Sequence, residues 1–388
     1  MDDKPNPAGK RQKFSPILGL PVDDDPVVKE PGEQLSSQSS TASGLQLSVM
    51  VPARNEEQNL PGCLASLLAQ SDEFFLLGRD WELLVIDDAS TDRTRALAQQ
   101  AAAPHAGVRV LEAPLLDLRS ATRSFTGKTN ACWFAAEQSQ GAWLLFTDAD
   151  TLHEPGDLVR ALHEAERHSA VLLSYSPRQI VHGVAQHTLM PLIFSELATV
   201  YPPKEVNDPG RRIAAANGQF LMVEREAYFA VGGHRAIGKS VLEDVDLAFN
   251  IKRSKRTLRF RYAPDALSTR MYRGFGDMVE GWTKNLALLF PHALALAAWR
   301  LLDIVLLLLP VLLYLLPYLV LWQRAAIVLL WARTLVRFYN RVARSHFSFV
   351  DCACSVFALP LFLWLLVRSW MNLRLFHQVA WKGREYKQ

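Results

Sequence analysis

Three acidic clusters, each beside an apolar run, hold most of the chemistry that this sequence can offer. Asp148-Ala149-Asp150 follows Trp143-Leu144-Leu145-Phe146-Thr147. Two carboxylates one residue apart can approach one hard cation together with phosphate oxygens. Mg²⁺ and Mn²⁺ suit such ligation, with one or two protein carboxylates and the remainder from water or phosphate. The triplet alone is equally a solvated turn or a helix cap, and its weight comes from the strand before it and from a second acidic pair. That pair, Asp87-Asp88, ends the run Trp81–Ile86 and precedes Ala89-Ser90-Thr91-Asp92. Ser90 or Thr91 can cap a following helix. Capping does not require two adjacent carboxylates ahead of it, whereas accepting from an imide N–H of uracil or from ribose hydroxyls would. The third cluster is Leu242-Glu243-Asp244-Val245-Asp246. Read plainly, it is the acidic first turn of a helix continuing into Leu247–Ile251, where the helix dipole favours negative charge.

The elements that must position these groups alternate. Leu47–Val51 reads as a buried strand ended by Pro52, and Glu56–Gln70 as a helix with Leu60, Leu64, Leu67 and Leu68 on one face. Trp81–Ile86 reads as a strand, Ala-rich Thr91–Ala103 as a helix and Val108–Leu111 as a strand. Lys128–Gln140 follows as a helix and Trp143–Thr147 as a strand. Such alternation predicts an α/β fold with a parallel sheet, whose ligands lie beyond the carboxyl ends of its strands. The acidic residues fall there.

Outside this region the chain changes character. Residues 1–44 are rich in Pro, Asp, Lys and Ser, lack an apolar stretch, and predict a disordered tail rather than a secretory signal. Of 388 residues 49% are hydrophobic, and the net charge of +3 hides a division. Residues 286–388 hold 11 Lys/Arg against 3 Asp/Glu, leaving 31 against 36 for residues 1–285. A basic, apolar tail on a mildly acidic body argues against a simple soluble domain. It argues equally against a nucleic-acid partner, whose contacts would need a basic folded face.

Residues 286–322 have only Pro291, His292, Arg300, Asp303, Pro310 and Pro317 outside the hydrophobic set. At about 1.5 Å per residue, Leu301–Trp322 covers a hydrocarbon core of roughly 30 Å. Phe349–Val367 is a second run of spanning length. Ala325–Phe338 is apolar but short, and Leu286–Trp299 reads as a further span or an interfacial helix. The region 286–388 is therefore expected to hold three or four membrane helices; buried core helices are the plainer alternative. Arg337, Arg341 and Arg344 mark one loop as cytoplasmic, and Arg368, Arg374, Lys382, Arg384 and Lys387 mark the segment after the next span likewise. Both hold only if a run is re-entrant or one end is interfacial. Cys63, Cys132, Cys352 and Cys354 form no C-x-x-C pair, which suits a reducing compartment without disulfide or zinc.

Five motifs in order now carry a resemblance: Val51-Pro52-Ala53-Arg54-Asn55-Glu56-Glu57, Val85-Ile86-Asp87-Asp88-Ala89-Ser90-Thr91-Asp92, Gly127-Lys128, Phe146-Thr147-Asp148-Ala149-Asp150 and Leu242-Glu243-Asp244-Val245-Asp246. Together they resemble the family 2 glycosyltransferases with a GT-A, Rossmann-like nucleotide-diphospho-sugar transferase fold, over residues 45–285. The resemblance implies that Pro52, Arg54 and Glu56 lie against the nucleotide and that Asp88 faces its base. It places Lys128 near the nucleotide, Asp148 near ribose and metal, and Asp150 on the metal, Mn²⁺ or Mg²⁺. Asp244 is implied as general base, with Glu243 beside it and Asp246 not excluded. The chemistry agrees. A leaving diphosphate needs its charge neutralised, and the attacking hydroxyl needs its proton taken by a carboxylate on the other face, giving inversion.

Asn217-Gly218-Gln219-Phe220 resembles the segment lining the sugar and acceptor pocket, with a plain Asn-Gly turn as the alternative. In Gly232-Gly233-His234 the glycines read as structural, and His234 has no assignable role. The Gln-x-x-Arg-Trp motif of processive synthases is absent, although Arg273 and Trp282 are present as residue types. That favours single transfer. The stretch from Tyr272 through Glu280-Gly281-Trp282-Thr283-Lys284-Asn285, with the terminal Trp381-Lys382-Gly383-Arg384-Glu385-Tyr386, is similar to membrane-bound carotenoid- or hopanoid-associated members. Arg270, Arg273 and Lys284 serve either the diphosphate or anionic headgroups. The expectation is an inverting, metal-dependent enzyme at the cytoplasmic face of the cell membrane, moving a sugar from a nucleotide-diphosphate donor, UDP-glucose first, to a lipid or terpenoid acceptor. The competing readings are a polyprenyl-phosphate glycosyl- or mannosyltransferase and a catalytically inactive, membrane-anchored nucleotide-binding protein. Nothing in the sequence sets an oligomeric state.

Overall fold

A computed structural model describes residues 44–116 and 125–375, together with the backbone of two short strands at Gln378–Trp381 and Arg384–Lys387. The tail expected over 1–44 lies, Gly44 aside, outside the described residues, and so do the side chains of the 381–386 stretch.

The strands are β1 (Leu47–Ala53), β2 (Trp81–Asp87), β3 (Val108–Glu112), β4 (Trp143–Phe146), β5 (Thr151–His153), β6 (Leu172–Ser176), β7 (Arg178–Gln179), β8 (Leu221–Glu224), β9 (Leu258–Tyr262) and β10 (Leu267–Thr269). Helices α1 (Leu60–Leu68), α2 (Thr94–Ala102), α3 (Gly127–Gln138), α4 (Asp157–Arg167) and α5 (Gly183–Val200) come first. Short α6 (Pro203–Val206), α7 (Arg225–Ala230) and α8 (Gly233–Ala236) precede α9 (Glu243–Arg253) and α10 (Phe275–Leu289). Seven strands form one sheet in the order β3-β2-β1-β4-β8-β6-β9. The parallel run expected from the sequence holds for β3, β2, β1 and β4. The sheet as a whole is mixed, because β8 enters between β4 and β6 antiparallel to both.

Alternation along the strands divides the core in two. Val49, Val51, Leu83, Val85 and Leu145 face α1 and α4 on one side. Met50, Leu84, Ile86, Leu144 and Phe146 face α3 and α9 on the other. Period-two side-chain direction in strands buried on both faces accounts for this. Pro52 does not end β1, which continues to Ala53. The Met50 carbonyl accepts from Thr147 N–H and the Ala53 carbonyl from Asp88 N–H, so Pro52 faces the side where β4 has already stopped. Its missing donor costs nothing there.

Two helix starts differ from expectation by several residues. The first helix begins at Leu60 rather than Glu56, and the second at Thr94 rather than Thr91. Residues 54–59 and 88–94 bond to each other instead. Neither Ser90 nor Thr91 caps α2; the Asp92 carboxylate accepts from Thr94 N–H at 3.0 Å. By contrast α3 opens as expected, with Thr126 and Thr129 in a reciprocal capping pair.

The apolar tail forms α11 (Ala293–Tyr314), α12 (Leu321–Val342), α13 (Phe349–Cys354) and α14 (Leu359–Arg374). Two stretches, Ala293–Tyr314 and Phe349–Arg374, are long and apolar enough to cross a membrane. The expected span Leu301–Trp322 is displaced, because the chain breaks at Pro291 and again before Pro317. The same Pro291 divides Leu286–Trp299 between α10 and α11, so it is not one helix. Proline disfavours helical backbone at the residue before it, and this places both breaks. Ala325–Phe338 proves to be the middle of a longer helix, and Pro360 sits in the first turn of α14.

These helices pack on α5 and α10 through Leu189, Ile193, Trp282, Leu286, Phe338, Phe362 and Leu365. Arg337 and Arg341 are not loop charges. They lie on α12 and pair with Asp303 of α11 at 2.6 and 3.0 Å. Arg300 bonds Asp303 at 2.8 Å and Glu196 of α5 at 3.2 Å, and Arg341 reaches Glu196 at 3.1 Å. Three guanidinium groups and two buried carboxylates thus join α5, α11 and α12, while Leu308, Leu312 and Leu315 beyond them stand exposed. Removing one partner of such a buried group strands the others and costs about 3–5 kcal/mol. Asp303→Ala is expected to lower the melting temperature of the detergent-solubilised protein clearly, whereas Leu308→Ala on the same helix leaves it nearly unchanged.

Candidate active site

The carboxyl ends of β1, β2 and β4 deliver the residues singled out by sequence. β1 ends at Ala53 and the loop after it turns at Asn55, whose φ is +53°. Across from it Ala89 also has φ +53°. Strain of this kind at non-glycine residues persists only where neighbours enforce it. The enforcement is visible. Arg54 Nη1 donates to the Asp88 carbonyl at 2.6 Å and to the Ala89 carbonyl at 3.2 Å. Thr91 N–H donates to Asn55 Oδ1, Asn55 N–H to Ser90 Oγ, and Glu56 N–H to Thr94 Oγ1. Arg54 and Asn55 therefore shape the rim that carries Asp87 and Asp88, both buried. Glu56 accepts from Asn59 Nδ2 at 2.7 Å.

At the centre stands Lys128, in the first turn of α3. Its ammonium donates to Asp148 Oδ1 at 2.8 Å and to Glu243 Oε1 at 2.7 Å. One cation thus bridges the turn after β4 and the start of α9. Burial works against the lysine charge, but Asp148 and Glu243 outweigh it and hold its pKa well above the ordinary value. Glu243 goes the other way. Burial would raise its pKa, yet the Lys128 charge and hydrogen bond pull it below the usual glutamate range. Burial leaves Asp148 raised despite Lys128. The Lys128 and Asp148 side chains are 37% and 30% exposed, so the site opens to solvent on their side and water screens that part of the cluster.

Asp244 lies next to this bridge. Its Oδ2 accepts from Gly218 N–H at 2.8 Å and its Oδ1 from Val245 N–H at 2.8 Å. Burial, then the neighbouring Glu243 charge, push its pKa up to about 7. A carboxylate near neutrality is matched to proton abstraction at neutral pH. Gly218 matters to where the lysine ammonium sits. A Cβ there would lie 2.9 Å from Lys128 Nζ and 3.5 and 3.6 Å from Glu243 and Asp244 oxygens.

The remaining candidates separate. Asn217 accepts from Gln219 N–H at 2.9 Å, and buried Gln219 donates to Thr269 Oγ1 at 3.3 Å, so both side chains shape the turn that carries Gly218. Lys284 on α10 stands in the field of Glu243, Asp148 and Asp244, with its pKa lowered chiefly by burial. Arg273 donates to the Gln58 carbonyl and to Asn59 Oδ1, tying it to the rim before α1. Trp282 is 2% exposed and donates to Met190 Sδ at 3.3 Å, packing α10 on α5. His234 is buried, bonded to Tyr228, and held neutral with a pKa lowered to about 4 by burial. Not foreseen were Tyr201, whose pKa is raised by burial and by Asp244, and Cys63, whose thiol is raised by burial and by Asp150 and Asp148. Neither has a local sequence signal, since both reach the site only through tertiary packing.

A model of glycosyl transferase family 2 matches residues 48–244, half of the chain. The chain belongs to that family. It is a glycosyltransferase, with the GT-A fold. A 4,4'-diaponeurosporenoate glycosyltransferase from Staphylococcus haemolyticus is 26% identical, covering 88% of this chain and 88% of its own. Its namesake from Staphylococcus aureus is 24% identical over 91% of each chain. In fold the chain is similar to a mannosyltransferase from Pyrobaculum calidifontis solved with GDP-Man and Mn²⁺, at TM-score 0.51 and 17% identity over 84% of this chain and 86% of the other.

Two outcomes are expected. The kcat/KM of the free enzyme should rise with pH through about 7 and level off above, because the raised pKa of Asp244 keeps the carboxyl protonated below it. Gly218→Ala should displace Lys128 and lower kcat by about tenfold or more without a matching fall in melting temperature.

Proposed function

We propose that this glycosyltransferase moves a sugar from a nucleotide-diphosphate donor, UDP-glucose first, to a hydroxyl or carboxyl of a carotenoid-like lipid, in one inverting displacement. The observation that carries the reading is the Lys128 bridge, which keeps the turn holding Asp148 and Asp150 beside Asp244. Donor carboxylates and a base poised near pH 7 then serve one reaction centre. Pro52, Arg54, Glu56 and Asp88 form the nucleotide side, with Lys128 and Asp148 toward the ribose. Asp244 takes the acceptor proton, and Glu243 acts through Lys128 and through the charge that raises Asp244.

Mn²⁺ or Mg²⁺ fits the residues present. Asp148 and Asp150 stand one residue apart in the turn after β4, and a site completed by substrate phosphate and water needs only one or two protein carboxylates. Asp148 already faces Lys128, so Asp150 would supply the main carboxylate ligand and Asp148 a secondary one. The ion would act as a Lewis acid on the leaving diphosphate. Lys284 is the further cation for that end.

The acceptor class rests on the relatives named for 4,4'-diaponeurosporenoate and on the apolar helices, which suit an acceptor dissolved in a membrane. On this reading residues 45–285 carry the chemistry, and 286–388 hold them at the cytoplasmic face of the cell membrane. A polyprenyl-phosphate acceptor would call for spare cations near the helices; Arg300, Arg337 and Arg341 are engaged in ion pairs with Glu196 and Asp303, and Arg273 in hydrogen bonds to Gln58 and Asn59. A catalytically silent role finds no support in intact Asp148, Asp150 and Asp244.

Membranes given radiolabelled UDP-glucose and Mn²⁺ should yield a labelled lipid. Absence of transfer and of hydrolysis with every nucleotide sugar tried would sink the reading. Asp150→Ala should abolish metal-dependent nucleotide binding, while Asp244→Asn should keep binding and lose about 10²–10⁴-fold in turnover.

A further inference from the structure

Behind the Asp148–Asp150 turn runs a buried polar chain that takes no part in the reaction described above. It starts at Asp157, the first residue of α4, whose Oδ2 lies 2.7 Å from His153 Nδ1. Both side chains are 0% exposed. His153 Nε2 lies 3.1 Å from Thr147 Oγ1, and Thr147 Oγ1 donates to the Gln219 carbonyl at 2.8 Å. The hydroxyl has a single proton and the carbonyl can only accept, so the ring nitrogen facing Thr147 donates to it. The other ring nitrogen faces the Asp157 carboxylate.

The place of this chain gives it leverage. Phe146 of β4 pairs with Leu221 of β8, and there the ladder ends. The bond from Thr147 to Gln219 adds one side-chain rung beyond it. On one strand that rung is followed at once by Asp148; on the other it is preceded by Gly218, whose N–H holds Asp244. A second link closes the far side. Gln219 Nε2 donates to Thr269 Oγ1, which donates to the Asp150 carbonyl at 3.2 Å. Gln219 is thereby tied at both ends of the metal-side turn.

Packing alone does not demand such a chain. Burying a histidine and a carboxylate costs desolvation that an apolar pair of equal volume avoids. The ring nevertheless stands with Phe220 6.0 Å away in an otherwise hydrophobic layer. What the polar pair supplies and an apolar pair does not is direction for the Thr147 hydroxyl. Groups that orient ligand-bearing segments typically affect metal affinity by 10–100-fold.

We propose that His153 and Asp157 are positioning residues, which clamp Thr147 to Gln219 and so hold the Asp148–Asp150 turn in register with Gly218 and Asp244. This rests on the donor reading above. The test uses the full chain in detergent, with UDP and GDP, each plus Mn²⁺, titrated by calorimetry, and with melting temperatures measured alongside. His153→Leu and Asp157→Asn should each weaken binding of the diphosphate with Mn²⁺ by about 10–100-fold while a well-folded fraction remains. His153→Gln, which keeps an N–H toward Thr147, should recover most of that loss. A folded His153→Leu or Asp157→Asn protein that binds like the wild type overturns the proposal. So does a fall in melting temperature or folded yield with affinity unchanged, since that is a purely structural role. Wild-type protein that binds neither diphosphate overturns the donor reading and this inference with it. Wild-type binding with unaffected variants overturns this inference only.

Discussion

One lysine ammonium between two carboxylates is the interaction on which the site depends. Asp148, Glu243 and Asp244 come from distant parts of the chain and converge where their charges repel. Without Lys128 at 2.8 and 2.7 Å from the first two, bringing them together would carry an uncompensated cost. The bridge does more than neutralise. It secures Glu243 as an ion, and the ionised Glu243 beside Asp244 is part of what lifts that carboxyl toward neutrality. A single cation therefore links the donor turn to the base.

Around that link the fold consists of loops that brace one another. The Asn55 and Ala89 loops each hold an unfavourable backbone conformation, and each is fixed by bonds from the other. In the turn before β8, Gly218 leaves Lys128 Nζ its place, which a Cβ 2.9 Å away would force to shift. Behind them α5 and α10 extend the catalytic unit into the apolar helices. Tyr201, near the end of α5, donates to the Leu289 carbonyl at the end of α10, so the neighbourhood of Asp244 is continuous with the region that leads to α11.

Much of this was legible in the sequence for a definite reason. Short apolar strands buried on both faces read directly as β1, β2 and β4, and the acidic pairs lie at the carboxyl ends of β2 and β4. Glu243 to Ile251 read as an acidic-nosed helix and is one. Local pattern failed where distant residues decide the outcome. Glu56 leaves the helical register because its backbone bonds to Thr94. Arg273 and Trp282 matched by residue type, yet the first braces the rim before α1 and the second fills the core between α5 and α10. The antiparallel entry of β8 and the whole of α5 leave no signature that spacing alone reveals. In the tail, hydropathy located the apolar runs, but prolines 291, 317 and 360 set where the helices start and stop.

The ionic junction of α5, α11 and α12 bears on how the protein is made. Arg300 and Asp303 interrupt the apolar helix α11; in any segment that crosses a membrane, each charge near the centre opposes insertion by about 2.5–3.5 kcal/mol. As α11 leaves the ribosome it can offset part of this by itself, because Arg300 and Asp303 pair one turn apart. Glu196 has already been synthesised by then, within a helix that must be folded to present it. Arg337 and Arg341 emerge only later. The last cation partners of the two carboxylates therefore arrive only with α12. A chain stopped between the two helices holds Glu196, Arg300 and Asp303 without Arg337 and Arg341, one carboxylate more than it has cations to pair.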